Sequence, residues 1–408
     1  MAVIVQKYGG SSVANAERIR NVARRIQRAH AAGNQVAVVV SAMGDTTDEL
    51  IALAASVSAN PDPREMDLLL STGEIVSCTL VAMALRDMGV GAVSMSGEQA
   101  GIRTDRLHGK ASIVALDPAR VRYELDQGRV VIVAGFQGVN EEMDVTTLGR
   151  GGSDTTAVAL AAALGASLCE IYTDVEGIYT ADPRIVPTAR KLTELGYEEM
   201  LELASYGAKM HPRSIELAAW YKIPVLVAHS VKDAPGTLIH DIAGGDGVEI
   251  TKKVRGVTYE KGVARITVRA VPDRPGIAAS LFDPLAAAGV SVDTIVQNAS
   301  AERLTDLSFT VDKVDLHRAL DVVRPVAQQM GAKDVVSNDS LGTVSIVGTG
   351  MQNAPGYAST MFRSLADAKI NIEMITTSQI RITCIVGEAQ VPAAVRALHK
   401  AFELDAAS

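Results

Sequence analysis

The feature that most constrains the fold is an alternation of short apolar runs with longer helical stretches across residues 1–245. The runs AVIVQ, QVAVVVSA, VVIVAGF, CEIYT and PVLVAHS are continuously apolar, and patterns such as AERIRNVARRIQRAHAAG and DTTAVALAAALGA lie between them. Continuously apolar strands that alternate with helices are typical of a parallel sheet buried on both faces. We therefore predict an α/β fold with a mostly parallel sheet, whose ligands bind at the carboxyl ends of strands.

The rest of the chain contains an internal repeat. After GTLIHDIAGGDGVEI, a glycine-rich stretch that predicts a linker, residues 263–295 align without gaps on residues 343–375. Each copy predicts strand, helix, two strands and helix, as in a ferredoxin-like βαββαβ module. The second copy lacks a last strand, so we predict that GVTYE, residues 256–260, supplies it. The predicted divisions are 1–245, a linker with this strand at 246–262, and modules at 263–340 and 341–408.

Composition disfavours several classes of function. The 408 residues carry a net charge of −8 without a basic stripe, which argues against nucleic-acid or membrane-surface binding. Three scattered cysteines, Cys78, Cys169 and Cys384, fit neither a disulfide framework nor a metal site. No signal peptide is recognisable, and no apolar run approaches about 20 residues. We therefore expect a cytoplasmic protein with reduced, buried thiols.

Two glycine-rich loops each precede a helical stretch. In the first, Lys7 stands before Gly9 and Gly10, an order found in neither a Walker A loop nor a dinucleotide fingerprint. Glycines allow close backbone approach, and a helix start offers free N–H groups, so this loop suits phosphate. A tight turn with a surface lysine explains it about equally well. In the second loop, LGRGGSD, Arg150 can bind a carboxylate bidentately, whereas helix capping needs no such set of glycines.

Several polar residues have both a functional and a structural interpretation. Asp174 follows directly after the run CEIYT, at a predicted strand end where acidic residues often hold Mg²⁺ directly or through water. Asp182 is better explained by an Asx turn. Thr46 and Glu49 suit a capping box, which leaves Thr47 available for a ligand. These residues alone leave the choice between ligand binding and local structure open.

The acceptor chemistry follows from two further observations. Glu74 lies in an apolar helical stretch, and a buried carboxylate implies a cationic partner. Lys209 is a weak candidate for a phosphate contact. None of the seven histidines lies in the glycine loops. An alcohol or amine acceptor would benefit from a base, whereas a carboxylate is already ionised at neutral pH. The sequence therefore fits phosphorylation of a carboxylate, with charge neutralised by Lys7, Mg²⁺ and loop N–H groups.

Five motifs in order resemble the aspartate kinases of the amino-acid kinase family. They are KYGGSS, SAMGDTTDEL, TTLGRGGSDTTA, YTDVEGIYTADPR and GAKMHPRS. The repeat resembles that family's tandem ACT domains. The resemblance implies a carbamate-kinase-like α/β sandwich and ATP- and Mg²⁺-dependent phosphorylation of the L-aspartate β-carboxylate to 4-phospho-L-aspartate. That reaction is the first step towards lysine, threonine and methionine.

The resemblance also implies roles for particular residues. Lys7 would stabilise the transferring phosphoryl group and Asp154 would organise the catalytic centre. Arg150 would bind the α-carboxylate of aspartate and Glu74 its ammonium. The remaining substrate residues would be Thr47, Gly151, Gly152 and Ser153. ATP would contact Lys7, Tyr8, Gly9, Gly10, Ser41, Thr173, Asp174, Tyr179, Thr180, Ala181, Asp182, Pro183, Arg184 and Lys209. We assign no direct metal ligand, with Asp174 a candidate through water.

For the repeat, the resemblance implies a homodimer through ACT domains that binds lysine or threonine as effector. A separate ACT-only regulatory subunit is a further partner that the family admits. The matching effector positions are Asp273, Arg274, Pro275, Gly276, Ile277, Ala278, Ser291, Val292, Asp293, Gln297 and Asn298. Ser291 and Gln379 depart from common family patterns, which leaves the effector's identity open. The alternatives are a kinase acting on glutamate or N-acetylglutamate, which Glu74 and Arg150 disfavour, and a catalytically inactive amino-acid sensor, which Lys7 and Asp154 disfavour.

Overall fold

The computed structural model describes residues 1–205, 210–242, 254–297, 304–351 and 355–406. Contacts divide the chain into two compact units. The first unit consists of Met1–Tyr179 and Lys191–Val248, and the second consists of Thr180–Arg190 and Glu249–Ser408. Residues 180–190 therefore pack with the repeat region, although the sequence divisions place them in the N-terminal domain.

The first unit contains twelve strands and seven helices within its described residues. The strands are β1 Val3–Tyr8, β2 Gln35–Val40, β3 Ala92–Met95, β4 Ile102–Thr104, β5 Ile113–Leu116, β6 Val130–Ala134, β7 Gln137–Val139, β8 Val145–Thr147, β9 Leu168–Thr173, β10 Glu194–Gly196, β11 Val225–His229 and β12 Thr237–His240. The helices are α1 Ala16–Ala31, α2 Thr46–Val57, α3 Pro63–Asp87, α4 Ala119–Asp126, α5 Gly152–Leu164, α6 Tyr197–Ser205 and α7 Pro212–Tyr221.

The main sheet confirms the predicted fold class. Its order is β10-β12-β11-β9-β1-β2-β6-β3, and the five predicted apolar runs form the adjoining strands β11, β9, β1, β2 and β6. All five are parallel, whereas β12 joins β11 in the antiparallel direction. Strands β2 and β6 are almost wholly buried, as expected for a sheet covered on both faces. The carboxyl ends of β9, β1, β2 and β6 therefore lie side by side.

The second unit has one six-stranded antiparallel sheet with the order β14-β15-β13-β16-β18-β17. Its strands are β13 Gly256–Pro272, β14 Ile295–Gln297, β15 Leu304–Asp312, β16 Asp334–Val347, β17 Met374–Thr377 and β18 Arg381–Gly387. Its helices are α8 Ile277–Ala287, α9 Leu316–Met330, α10 Tyr357–Asp367 and α11 Val391–Ala401. Separate apolar clusters lie under the two helix pairs.

The two longest strands, β13 and β16, are shared between the two copies of the repeat. Thr258 in GVTYE pairs with Ser345 of the second copy, whereas Thr267 pairs with Val336 and Ser308. Each copy thus obtains its last strand from a long strand that also serves the other copy. The pairing of GVTYE with the second copy is the arrangement that the completing-strand hypothesis requires.

Three local expectations need correction. The stretch predicted as a linker begins with strand β12. Its first residue, Thr237, is buried, and the Thr237 hydroxyl donates to Leu192 O. Residues 243–253 lie outside the described residues. The capping box is wrong, since α2 begins after Asp45 without a side-chain cap. One described helix, α3, is long and apolar enough to cross a membrane, although half of its most apolar window is buried.

Candidate functional site

The centre of the candidate site is an ion pair between the two glycine loops. Lys7 Nζ, at the end of β1, lies 2.6 Å from Asp154 Oδ1 in the first turn of α5. Their side chains are 12% and 10% exposed, so little water competes for either charge. Because β1 is the middle strand of the parallel core and α5 packs against it, the pair lies at the predicted carboxyl edge.

The first glycine loop is also needed for close backbone packing. A Cβ at Gly10 would lie 2.7 Å from Ala42 O, and the Gly10 carbonyl accepts from Gly44 N–H at 3.1 Å. Ser41 N–H, after β2, donates to Tyr8 O at 3.1 Å. The loop that follows β1 is therefore in direct contact with the loop that follows β2. Any side chain at Gly10 would separate these two loops.

Tyr8 contributes its backbone and not its ring to this edge. Its side chain is fully buried, stacks on Tyr172 with centroids 5.0 Å apart, and donates to Gln6 Oε1 at 3.1 Å. Burial raises the pKa of Tyr8 well above its usual value. The predicted nucleotide contact of Tyr8 therefore needs its main-chain atoms.

Glu74 is a buried carboxylate that has one unused oxygen. It is 3% exposed, and its Oε1 accepts from Ala42 N–H at 3.1 Å. Its Oε2 has no hydrogen-bond partner among the described residues, and no cation lies within ion-pair distance there. Burial raises the pKa of Glu74 to about 7, although the Ala42 N–H opposes the shift. A cationic group that reached Oε2 would satisfy this carboxylate.

The second glycine loop has backbone geometry that excludes simple helix capping. Gly149 and Gly151 have φ values of +75° and +69°, and no side chain caps α5. Capping of α5 by Ser153 or Asp154, the simple structural explanation of this loop, is therefore wrong. Ser153 is 8% exposed and lies beside Gly135, where an added Cβ would be 2.9 Å from the serine Oγ. Arg150 is exposed at the outside of the loop.

Three residues that support this loop were missed from the sequence. A Cβ at Gly151 would collide with His211, whose pKa is lowered by burial although Asp154 opposes the shift. Arg213 donates to Leu148 O at 3.1 Å and to Ala111 O. Asp67 is 1% exposed and accepts from Gly109 N–H and from the hydroxyl of Thr147, just before the loop; its Oδ2 is also hydrogen-bonded to His108 Nδ1 at 2.8 Å. His211 and Arg213 could have been identified from the sequence, because both lie in the motif GAKMHPRS, whose HPR stands at the start of α7.

The remaining predicted residues of the first unit lie on the flanks of this edge. Thr47 is half-buried in the first turn of α2. Thr173 ends β9, and its hydroxyl donates to Asp174 Oδ1 at 3.0 Å. Tyr179 forms a bridge with Lys191. Within the described residues, no group of three acidic, histidine or cysteine side chains could hold a metal ion. Lys209 lies outside the described residues.

We call Lys7, Asp154 and Glu74, with the two glycine loops, the strand-end cluster. The residues 180–184, which were predicted to contact the nucleotide, belong to the second unit and not to this cluster. Thr180 Oγ1 is hydrogen-bonded to His399 Nε2 of α11 at 2.9 Å, and Val257 N–H donates to Thr180 O at 2.7 Å. Asp182 accepts from Arg184 N–H at 2.9 Å, which confirms the Asx turn, and from Tyr259 O–H. Ala181 packs in the apolar cluster of the second repeat copy, while Pro183 and Arg184 lie at the surface.

The predicted effector residues of the first repeat copy line a depression of about 490 Å³. Its lining consists of Asp273, Arg274, Pro275, Gly276, Ile277, Ala278 and Gln297. Gly276, with φ of +88°, precedes α8. Ile277 N–H donates to Arg274 O at 3.3 Å, and the next two N–H groups lie in the first helical turn, where a helix offers them no internal acceptor. Ser291, Val292 and Asp293 precede β14 outside this lining, and Asn298 lies outside the described residues.

The second copy has an equivalent depression of about 280 Å³ around Pro355, Gly356 and Thr377. The two copies differ in whether one aligned carboxylate has a cationic partner. Glu373, which aligns with Asp293, forms an ion pair with Arg265 at 3.0 Å. Among the described residues, no cation lies within ion-pair distance of Asp293. The first copy thus keeps a carboxylate whose charge is not neutralised by any cation among the described residues.

Comparison with protein families supports both units. The model described as the amino acid kinase family matches residues 2–229, and the model described as the ACT domain matches residues 266–325 and 344–402. Aspartokinase from Corynebacterium glutamicum is 51% identical over 410 residues, which cover 99% of this chain and 97% of that protein.

Solved structures agree with this comparison. E. coli aspartokinase III in complex with aspartate and ADP, in the R-state, superposes with a TM-score of 0.83 at 26% identity, covering 98% of this chain and 99% of that one. The same enzyme in complex with lysine and aspartate, in the T-state, gives a TM-score of 0.74 at 25% identity over the same shares of the two chains.

Proposed function

The chain belongs to the aspartokinases of the amino acid kinase family, and we propose that it transfers the γ-phosphoryl group of ATP to the β-carboxylate of L-aspartate. The products are 4-phospho-L-aspartate and ADP, and the reaction opens lysine, threonine and methionine biosynthesis. The observation that carries this proposal concerns Glu74: its Oε2 is buried without a hydrogen-bond partner among the described residues. Its Oε1 accepts from Ala42 N–H, in the loop after β2 that packs against the glycine loop following Lys7. A buried carboxylate at this edge suits the ammonium group of an amino-acid substrate.

The residues of the site divide the work between binding and charge stabilisation. Glu74 binds the ammonium group, and Arg150 binds the α-carboxylate bidentately. Lys7 contacts the phosphoryl oxygens, where negative charge is redistributed in the transition state. Asp154 holds Lys7 in place through the 2.6 Å pair, as a positioning residue and not as a base. The β-carboxylate arrives ionised, so the reaction requires no proton transfer.

Mg²⁺ is proposed to enter with ATP. In this proposal the nucleotide phosphates are the main ligands of the metal. Asp174, at the end of β9, is the side chain that would contact the metal through water. When bound, the metal neutralises phosphate charge. Three free, buried cysteines suit the reducing cytoplasm that we propose as the location.

The second unit is proposed to bind a feedback effector and to form a homodimer. The depression at the Pro275-Gly276 turn offers helix N–H groups for an α-carboxylate, and Asp293 is available for an ammonium group. Because E. coli aspartokinase III was solved with lysine, we propose lysine as the first effector to test, followed by threonine. The domain boundaries predicted from the sequence are retained here as a proposal.

One assay tests the proposed reaction. The full chain is incubated with ATP, Mg²⁺ and L-aspartate, and hydroxylamine traps any acyl phosphate as a coloured hydroxamate. We expect hydroxamate with L-aspartate and at most trace amounts with glutamate or N-acetylglutamate. Lysine and threonine, added singly and together, then identify the effector. Absence of aspartyl hydroxamate with active, folded protein would overturn the assignment.

A further inference from the structure

The buried carboxylate of Asp67 has a set of contacts that no step of the proposed reaction uses. It lies on α3, is 1% exposed, and is hydrogen-bonded to three groups outside its own helix. Its Oδ1 accepts from the Thr147 hydroxyl, its Oδ2 is hydrogen-bonded to His108 Nδ1 at 2.8 Å, and Gly109 N lies 3.1 and 3.0 Å from the two oxygens. Because an unpaired buried carboxylate is costly, all three partners are held firmly in place.

The partners of Asp67 belong to two chain segments that run side by side. Gly109 and Ala111 lie in the turn between β4 and β5, whereas Thr147 ends β8 and Gly149 belongs to the second glycine loop. Ala111 N–H donates to Thr147 O at 2.9 Å, and a Cβ at Gly149 would lie 3.0 Å from Gly109 O. Asp67 bonds to a member of each segment, so its side chain fixes both segments relative to α3.

Arg213 of α7 holds the same two segments from a second direction. Its guanidinium donates to Ala111 O at 2.7 Å and to Leu148 O at 3.1 Å. The second glycine loop continues from there to Arg150, which lies between two glycines with positive φ values. Because glycines leave the backbone permissive, the position of Arg150 depends on the contacts that hold the chain just before it.

Asp67 and Glu74 lie on the same side of one helix. They are seven residues apart, which is two turns, so about 10 Å separates them along the axis of α3. Both side chains are buried. In the proposed function Glu74 binds the ammonium group directly, and Asp67 connects the same helix to the loop that carries Arg150. One rigid element therefore sets the distance between the two groups that recognise an α-amino acid.

We propose that Asp67 is a positioning residue for recognition of the substrate α-carboxylate. It acts through Arg150, which it keeps at the distance from Glu74 that an α-amino acid requires. This inference rests on the proposed function and names the device by which that site selects an α-carboxylate. A bidentate guanidinium–carboxylate pair needs a defined geometry, so a displaced Arg150 loses affinity for aspartate. Binding of ATP does not depend on this device.

β-Alanine, which is aspartate without the α-carboxylate, separates positioning from general damage. For Asp67→Ala we expect the KM for aspartate to rise about 30-fold, and the inhibition constant of β-alanine and the KM for ATP to change less than about threefold. Thr147→Val keeps the side-chain shape and removes one hydrogen bond, so it should raise the KM for aspartate about fivefold. Ser71→Ala, at a buried serine of α3 that donates to Leu68 O, is the matched control and should change none of these constants. Equal weakening of aspartate and β-alanine would overturn the proposal.

A double-mutant cycle tests whether the effect passes through Arg150. In the Arg150→Gln background, Asp67→Ala and Thr147→Val should each change the KM for aspartate less than about twofold. Circular dichroism verifies folding, and Thr147→Val alone decides the cycle if Asp67→Ala is unfolded. Undiminished effects in the Arg150→Gln background would refute this inference alone. A folded native chain that forms no aspartyl hydroxamate would instead refute the proposed function, and this inference with it.

Discussion

The strand-end cluster of the first unit and the segment 180–190 of the second unit satisfy their polar groups differently. In the cluster, Glu74 keeps a buried oxygen that has no hydrogen-bond partner in the part of the chain that the structure describes. In the segment, Thr180 and Asp182 bond to His399 and Tyr259 of the same unit. An unsatisfied buried acceptor is costly, so it identifies the place where a ligand completes the structure. Thr180 and Asp182 of the segment already have partners within the second unit, so we expect this unit to hold the segment in position.

The largest effect is expected at Lys7, the fixed charge of the cluster. Lys7→Ala should lower kcat at least about 100-fold, because a charge contact to the transferring group is lost. The removal also leaves Asp154 buried without its cation. Steady-state kinetics measure the effect, with Lys222→Ala on the surface as control. Near-normal kcat in Lys7→Ala would remove the cluster from the catalytic centre.

Glu74→Gln should come next and should act on substrate binding. The neutral amide cannot pair with an ammonium group, so we expect the KM for aspartate to rise about 50-fold. The KM for ATP should change little. Glu198→Gln, at an exposed glutamate, is the matched control. Equal increases in both KM values would indicate a general structural defect.

The pH dependence of Glu74 provides an independent measurement. Its pKa is raised to about 7, so the ionised form needed for ammonium binding increases as pH rises through that value. We expect the KM for aspartate to fall between pH 6 and 8 in the native protein and to stay flat in Glu74→Gln. The unfolded carboxyl titrates near 4.3, so the native state binds the extra proton between about 4.3 and 7. The free energy of unfolding should therefore fall across that window as pH rises, by about 4 kcal/mol at most.

The two repeat copies extend the comparison to the regulatory unit. Asp293 lacks an ion-pair partner among the described residues, whereas Glu373 pairs with Arg265. We expect Asp293→Asn to raise the inhibition constant for the effector about tenfold and Glu373→Gln to change it less than threefold. Inhibition curves with lysine and threonine measure both. A larger effect of Glu373→Gln than of Asp293→Asn would contradict the idea that pairing with Arg265 distinguishes the two copies.

The smallest effect is expected at His399, which holds the satisfied segment. His399→Phe removes the hydrogen bond to Thr180, and we expect about 1 kcal/mol of lost stability. The KM for ATP should rise two- to fivefold, with the KM for aspartate unchanged. His317→Phe, at an exposed histidine of α9, is the control. No change in the KM for ATP would separate this segment from nucleotide binding.

The sequence predicted the fold and part of the site for physical reasons. Continuous apolar runs identified the five central strands, because strands buried on both faces show no polar alternation. The repeat located the shared strand GVTYE. Lys7 and Glu74 were identifiable because a lysine before two glycines and a carboxylate within an apolar helix are locally unusual. These features depend on neighbours in the sequence.

What was missed depends on contacts between distant residues. Asp67 supports the second glycine loop from α3, and Thr180 bonds to a histidine 219 residues away. The expected capping box failed because α2 begins one residue earlier than the pattern suggests, so that Asp45 and not Thr46 is at the cap position. Nothing in the sequence of residues 180–190 indicated that they would pack with the repeat.

The most direct test of the central claim compares L-aspartate with succinate, which lacks only the ammonium group. Isothermal titration calorimetry measures both ligands with the native chain and with Glu74→Gln at pH 8. The account predicts that the native chain prefers aspartate by at least about 50-fold and that Glu74→Gln abolishes most of this preference. The same preference in both proteins would contradict the assignment of the buried carboxylate to the ammonium group of the substrate.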